Sequence, residues 1–496
     1  ADAISGINYI NCPVWDMDYD EDTWDDESKG HPLKVLSSEL ERKKARREHS
    51  VHRIGYNLGE LITEGQENNL ISNRAKRQQQ RFKAPEGCEY PTLIDELNTP
   101  LKDKKAPIEE ITNNEKACKE VTSKDNVSEV SFGGVHSSKG KLSKNQPKKN
   151  DSDKSFIAVI HIDGNSMGSR VNSIYEKIKS DPNELDVDYR SNSSDKENPW
   201  NITCQTLRRF SGSIQKDFES AFNETVQEVI CQENLSAKTL PIRPIILAGD
   251  DVCFVTAGSI GIECARIFLK KLNGKKNEVD QQKYAACAGV AIVHTKYPFH
   301  RAYQLAEELC SNAKKYVASI DKTSSISAID WHLELGQIKN NLSEIRKEYE
   351  TEDGNRLELR PYIVVNPHND TNVVKDYQFF KSLCKALKEQ DEIARSKVKE
   401  LRTALKQGKL ESEYFVKAKN MREILLATFD ALNRNKDERF KKMINIVLNK
   451  EKMVKEVFIS LNSFEARKND NTPSIEHCLF YDAIEMMDLC KFYEEA

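Results

Sequence analysis

Three aspartates are the residues of this sequence best suited to chemistry. Asp163 follows the apolar run Phe156–Ile162 (FIAVIHI), and Asp250 and Asp251 lie side by side in Ala248-Gly249-Asp250-Asp251, between the runs Ile245–Leu247 and Val252–Thr256. A short acidic turn between two apolar, β-branched strands reads as a β-hairpin with paired carboxylates at its tip. Adjacent carboxylates beside apolar strands repel one another and lose hydration, and a divalent cation is the simplest partner that offsets both. Gly and Asp are also ordinary turn residues, so the tripeptide taken alone fits a solvated turn as well.

Carboxylates on neighbouring strand ends can hold two divalent ions, which together neutralise a triphosphate and fix the attacking and leaving oxygens of an in-line displacement. On that reading Asp163 and Asp250 are bridging ligands and Asp251 supports them. The short segment Gly164-Asn165-Ser166-Met167-Gly168 turns from the first strand into a helix, where backbone N–H groups can face a phosphate. Lys314 and Lys315 fall near the C-terminal end of a later helix. One of them can neutralise a γ-phosphate, although cations there also favour the helix dipole without any ligand. His161 is expected on the opposite face of its strand from Asp163, as a structural histidine, and His294 and His300 flank Pro298 in a loop. No Walker A, GxSxG or HExxH motif occurs, nor any His-Asp dipeptide, so the simplest signature of a metal phosphohydrolase is missing.

The elements that must position these groups follow from periodicity. After the first strand come a polar insertion at 180–198, a long helix over 202–230 and the hairpin 241–258. A helix over 261–272, a strand over 284–293, a helix over 300–317 and a short strand over 326–331 complete the series. A split β-α-β-β-α-β order predicts an α+β, ferredoxin-like palm: an antiparallel sheet backed by helices, with the end of the first strand beside the hairpin. Asp163 is then a neighbour of Asp250 and Asp251. Four regions result: a charged, partly helical 1–123, a polar linker or insertion 124–154, the palm 155–366, and a helical 367–496. Helices in the last region are expected over 377–407, 413–433, 440–461 and 474–494.

Composition narrows the classes. The chain has 496 residues, 38% hydrophobic and 31% charged, with net charge −4. That gives no global pull toward nucleic acid or an anionic membrane, so any such contact must come from local basic runs such as Arg42–Arg47 and Arg74–Lys83. The 12 cysteines contain no CxxC pair, which argues against a zinc ribbon and for a reducing cytoplasm. No apolar run reaches 18 residues, so no membrane span is expected. The sequence starts at Ala1 rather than methionine, and a longer N-terminus is expected.

IAVIHIDGNSMG, RPIILAGDDVCFV, ACAGVAIVHTKYPFHRAYQLAEELCSNAKK, ISAIDWHL and RPY occur in this order within about 155–365. The series resembles the second palm domain of the large subunit of type III CRISPR effector complexes, sometimes called the CRISPR polymerase, which is similar in turn to diguanylate cyclases. The resemblance implies a nucleotidyltransferase that joins ATP into cyclic or short linear oligonucleotide messengers in antiviral defence. It implies Mg²⁺ or Mn²⁺ at Asp163, Asp250 and Asp251, and nucleotide contacts from Gly164, Asn165, Ser166, Met167, Gly168, Gly249 and Lys314. The implied partners are a nucleoside triphosphate, RNA or CRISPR complex subunits, and a second copy of the chain that supplies a facing site. Two positions depart from the family: Ala248 stands where GGDD has its first glycine, and Asn165 where a second acidic residue is common. These departures imply the alternative of a weakened palm serving as a nucleotide- or RNA-binding scaffold. A diguanylate-type activity is disfavoured by Val252, where that type has Glu.

Overall fold

The computed structural model describes residues 82–91, 97, 156–180, 199–233, 239–336, 339, 341–368, 373–389, 395–419, 421, 458–460 and 475–494. Most of the expected N-terminal region, the linker 124–154 and the insertion at 181–198 lie outside these residues.

The chain runs β1 (Phe156–Gly164), α1 (Met167–Ser180), α2 (Pro199–Glu233), β2 (Ile242–Ala248), β3 (Asp251–Ala257), α3 (Gly261–Asn273), β4 (Ala286–His294), α4 (Phe299–Ile320) and β5 (Ser327–Leu333). It continues with α5 (Leu342–Lys347), β6 (Tyr362–Val365), α6 (Tyr377–Glu389), α7 (Arg395–Lys406), α8 (Lys409–Ala418), β7 (Phe458–Ser460), β8 (Glu476–Cys478) and α9 (Tyr481–Met486). Six strands form one sheet in the order β2-β3-β1-β4-β5-β6. The first four, β2-β3-β1-β4, pair antiparallel throughout and form the expected ferredoxin-like unit. β1 lies in the sheet interior between β3 and β4, and its near-continuous apolar run is buried on both faces.

The extension departs from a purely antiparallel sheet, because β5 pairs with β4 in parallel and α4 is the crossover between them. A parallel connection needs such a crossover, and this one covers the sheet face opposite α3. On β1, odd-numbered residues face α4, as the edge-on contact of His161 with Tyr303 at 5.6 Å shows. Even-numbered Ile160 pairs with Phe254, whose ring packs on Phe268 of α3. The helix stripe Ala302, Leu305, Ala306, Leu309, Ala313 and Val317 is buried. α4 lies so close to β4 that a Cβ on Gly289 would stand 1.9 Å from the Ala306 carbonyl oxygen.

The C-terminal residues share the palm's apolar core. Trp331 of β5 stacks on Tyr362 at 5.3 Å and packs against Phe380 of α6 at 4.6 Å. Two buried charged groups fasten this layer. Glu263 of α3 receives the Tyr377 hydroxyl at 2.6 Å and pairs with Arg266 at 2.8 Å. The Arg360 guanidinium donates to Glu485 at 2.8 Å and to the Trp331 carbonyl at 3.0 Å, with Asp482 at 3.3 Å.

The expected all-helical C-terminal region needs correction. The helix expected over 377–407 is two helices, α6 and α7, and the one expected over 474–494 is β8 followed by the six-residue α9. The β8 backbone pairs with β7, and Cys478 N donates to Arg356 O at 2.8 Å; these long-range bonds outweigh local helix propensity. Of the expected helix over 440–461, residues 458–460 form strand β7 and the rest lies outside the described residues.

Gly289→Ala is expected to lower stability by about 2 kcal/mol or more, since the methyl must displace helix backbone rather than a side chain. A shifted denaturation midpoint checks this. Arg360→Met should cost about 3–5 kcal/mol in the same measurement, because Asp482 and Glu485 lose their buried counter-charge.

Candidate active site

β1 and β3 are in register with Asp163 directly opposite Asp251. Opposed residues of an antiparallel pair point to the same face, with Cβ atoms roughly 5 Å apart. Both carboxylates therefore project at the strand ends toward α4. The hairpin is tighter than a three-residue acidic turn: Ala248 pairs with Asp251, and only Gly249 and Asp250 form the loop. Gly249 has φ +66°, whereas Asp250 does not have positive φ, which is the type II′ pattern with glycine in the first central position. Ala248 ends β2 with an ordinary negative φ, so its methyl group costs nothing in backbone conformation. The left-handed residue that requires glycine is the one the sequence keeps.

Lys314 reaches from α4 to this pair. Its Nζ lies 2.7 Å from Asp163 Oδ2 and donates to the Gly164 carbonyl at 2.8 Å. Burial works against its charge, but the attraction and hydrogen bond of Asp163, together with neighbouring groups that include Asp250, raise the Lys314 pKa above the usual lysine value. The expected phosphate ligand thus neutralises an expected metal ligand. His161 is also a neighbour, contrary to expectation. Residues two apart on a strand share a face, and His161 Nδ1 stands 3.7 Å from Asp251 Oδ1. The spacing in the sequence already carried that signal.

The β1–α1 turn is shorter than expected, because Gly164 belongs to β1 and Met167 and Gly168 to the first turn of α1. Gly164 N donates to the Asp250 carbonyl at 3.2 Å, joining this turn to the hairpin tip. Ser166, at φ +55°, and Gly168 are exposed at the start of α1. Asn165 is buried, and its Nδ2 donates to the Ile326 carbonyl at 2.8 Å. Asn165 N also donates to the Ala285 carbonyl at 2.9 Å, which fastens the turn to the loop before β4. The 324–326 segment is itself shaped by Asp321. Burial raises the pKa of that carboxyl, yet hydrogen bonds from Thr323 and Ser325 bring it down to about 2.

Sequence reasoning gave no sign of Gln215, in the middle of α2. Its Oε1 accepts from Gly249 N at 2.5 Å and its Nε2 donates to the Leu247 carbonyl at 3.2 Å. No local pattern in α2 points to a turn 34 residues later. A groove of about 590 Å³ runs along α2 beside Lys271 rather than over the carboxylates.

The donor set fits a hard divalent cation in kind. Among the described residues no three acidic, His or Cys side chains converge into a ready-made cage. Mg²⁺ characteristically uses one or two carboxylates and completes its shell with water and substrate phosphates, so facing Asp163 and Asp251 suffice.

Residues 156–322 match the family model of the Cas10/Cmr2 second palm domain. The matched stretch begins with β1 and ends just beyond α4, and it contains every expected site residue. No curated protein matches the chain. Among solved structures, a chain of the type III-B Cmr-beta complex, determined by cryo-EM in the apo state, aligns at 11% identity with a TM-score of 0.21. The alignment covers 68% of this chain and 38% of that one, so this chain spans well under half of its length.

Asn165→Asp separates a strut from a lost metal ligand. A carboxylate facing the Ile326 carbonyl is expected to cost about 1–3 kcal/mol of stability without tightening Mn²⁺ binding. Denaturation and metal titration of the variant check both parts.

Proposed function

We propose that this chain is a Mg²⁺- or Mn²⁺-dependent nucleotidyltransferase that converts ATP into a cyclic or short linear oligonucleotide. The observation that carries the reading is the register of β1 and β3, which sets Asp163 against Asp251 with the Lys314 ammonium beside them, inside a stretch matching a Cas10/Cmr2 palm. Asp163 and Asp251, with Asp250 at the hairpin tip, would hold the cations. When bound, these supply charge neutralisation on the triphosphate and activation of the attacking hydroxyl. Lys314 would exchange Asp163 for a phosphate oxygen of the nucleotide, and the first N–H groups of α1, from Met167 onward, would cradle the phosphates beside Ser166. Gly249 leaves the turn without a side chain where a base or ribose has to approach.

The palm match supports subunits of a type III CRISPR complex as partners; RNA, and a second copy of the chain as the source of a facing nucleotide, are proposed by resemblance. The thiols found free among the described residues, most of them buried, support a reducing cytoplasm. Among those residues no helix is long and apolar enough to cross a membrane.

A second reading, a nucleotide- or RNA-binding scaffold, is favoured by one observation: Lys314 already neutralises Asp163. Incubation of the full chain with labelled ATP and Mg²⁺ decides between them. Pyrophosphate release abolished by Asp250→Ala with Asp251→Ala is the expected result. Tight ATP binding without release, unaffected by those changes, establishes the scaffold.

A further inference from the structure

The Asp250–Asp251 hairpin is held from two sides. On one, β1 contributes the Gly164 N–H to the Asp250 carbonyl at 3.2 Å. On the other, a single side chain of α2 spans the turn: Gln215 accepts from Gly249 N at 2.5 Å and donates to Leu247 O at 3.2 Å. An amide can do both, since it pairs a carbonyl acceptor with an N–H donor. In a two-residue hairpin the backbone bonds close the ladder at Ala248 and Asp251, and the N–H of the first loop residue is left over. Here that group is Gly249 N, and Gln215 takes it. The same Nε2 also donates to Glu219 Oε1, one helical turn on, which fixes the rotamer of the amide.

We propose that Gln215 is a positioning residue of the candidate site, fixing the pitch of the hairpin so that Asp250 and Asp251 meet Asp163. This rests on the reading of those aspartates as the cation platform. The geometry gives α2 a role that the sheet alone does not fill. The strand ladder sets the register of Asp163 against Asp251, but the turn residues Gly249 and Asp250 lie beyond the last ladder pair. Among the described residues, a Cβ built on Gly249 would meet nothing within 4 Å. Gln215 also lines the polar groove between α2 and Lys271, so it can be replaced without opening the apolar core.

The test is hydrogen exchange of the full chain, read by mass spectrometry on a peptide spanning 245–254, with Mn²⁺ affinity read by electron paramagnetic resonance. Gln215→Met keeps the volume and removes both hydrogen bonds. It is expected to speed exchange at the turn roughly five- to tenfold, leave β4 amides unchanged, and weaken Mn²⁺ binding several-fold. Gln215→Glu keeps the acceptor for Gly249 N but turns a carboxylate toward the Leu247 carbonyl and Glu219, so it is expected to recover only part of the slow exchange. Unchanged exchange at the turn in Gln215→Met overturns the inference, as does equal acceleration in β4, which would mark a general loss of stability. If the wild-type chain binds no Mn²⁺ but the turn still loosens selectively in Gln215→Met, the hold on the hairpin stands and the cation reading of the aspartates fails.

Discussion

Two carboxylates on directly opposed residues of an antiparallel ladder repel each other, and the organisation of the palm follows from how that repulsion is met. At a separation of about 5 Å and an effective dielectric of about 20, two like charges cost on the order of 3 kcal/mol. The ammonium of Lys314, at 2.7 Å from Asp163, sets an opposite charge against that repulsion. His161 adds a polar ring at 3.7 Å from Asp251 on the same face. One set of charges thus holds the facing carboxylates and the lysine beside them; on the proposed reading the same carboxylates would hold cations, and a bound nucleotide would offer Lys314 an alternative anion.

That arrangement makes the placement of α4 the controlling feature of the scaffold. Lys314 reaches Asp163 because α4 lies directly on β4, with the Ala306 carbonyl where a Gly289 side chain would be. The opposite face is closed by α2 and α3 and then by the C-terminal helices, which are tied down through Glu263 and Arg360. Both anchors are buried charges with several partners each, and removing one partner leaves the other unpaired. The C-terminal layer is therefore part of the palm's own core rather than a separate bundle leaning on it.

The core strands and helices were legible because their apolar residues recur with clear periods. The strand read over Phe156–Ile162 extends only two residues further, and the helix read over 300–317 only one residue at its start and three at its end. The C-terminal region was misread where strand pairing is decided at long range, as at Glu476–Cys478, whose partners are Phe458–Ser460 and Arg356. His161 was misplaced although strand alternation puts it with Asp163. Asn165 looked like a missing carboxylate because its acceptor, the Ile326 carbonyl, lies 161 residues away.

By itself the sequence determined the palm: alternating apolar strands and striped helices, a glycine where the hairpin needs positive φ, and aspartates at two strand ends. These are local properties, set by backbone conformation and by which side chains avoid water. Only the tertiary structure decided what surrounds the carboxylates. Lys314 beside Asp163, Gln215 across the turn and Asn165 bonded to the Ile326 carbonyl all depend on contacts between segments distant in the chain. Such contacts follow from how layers pack, and periodicity carries no record of them.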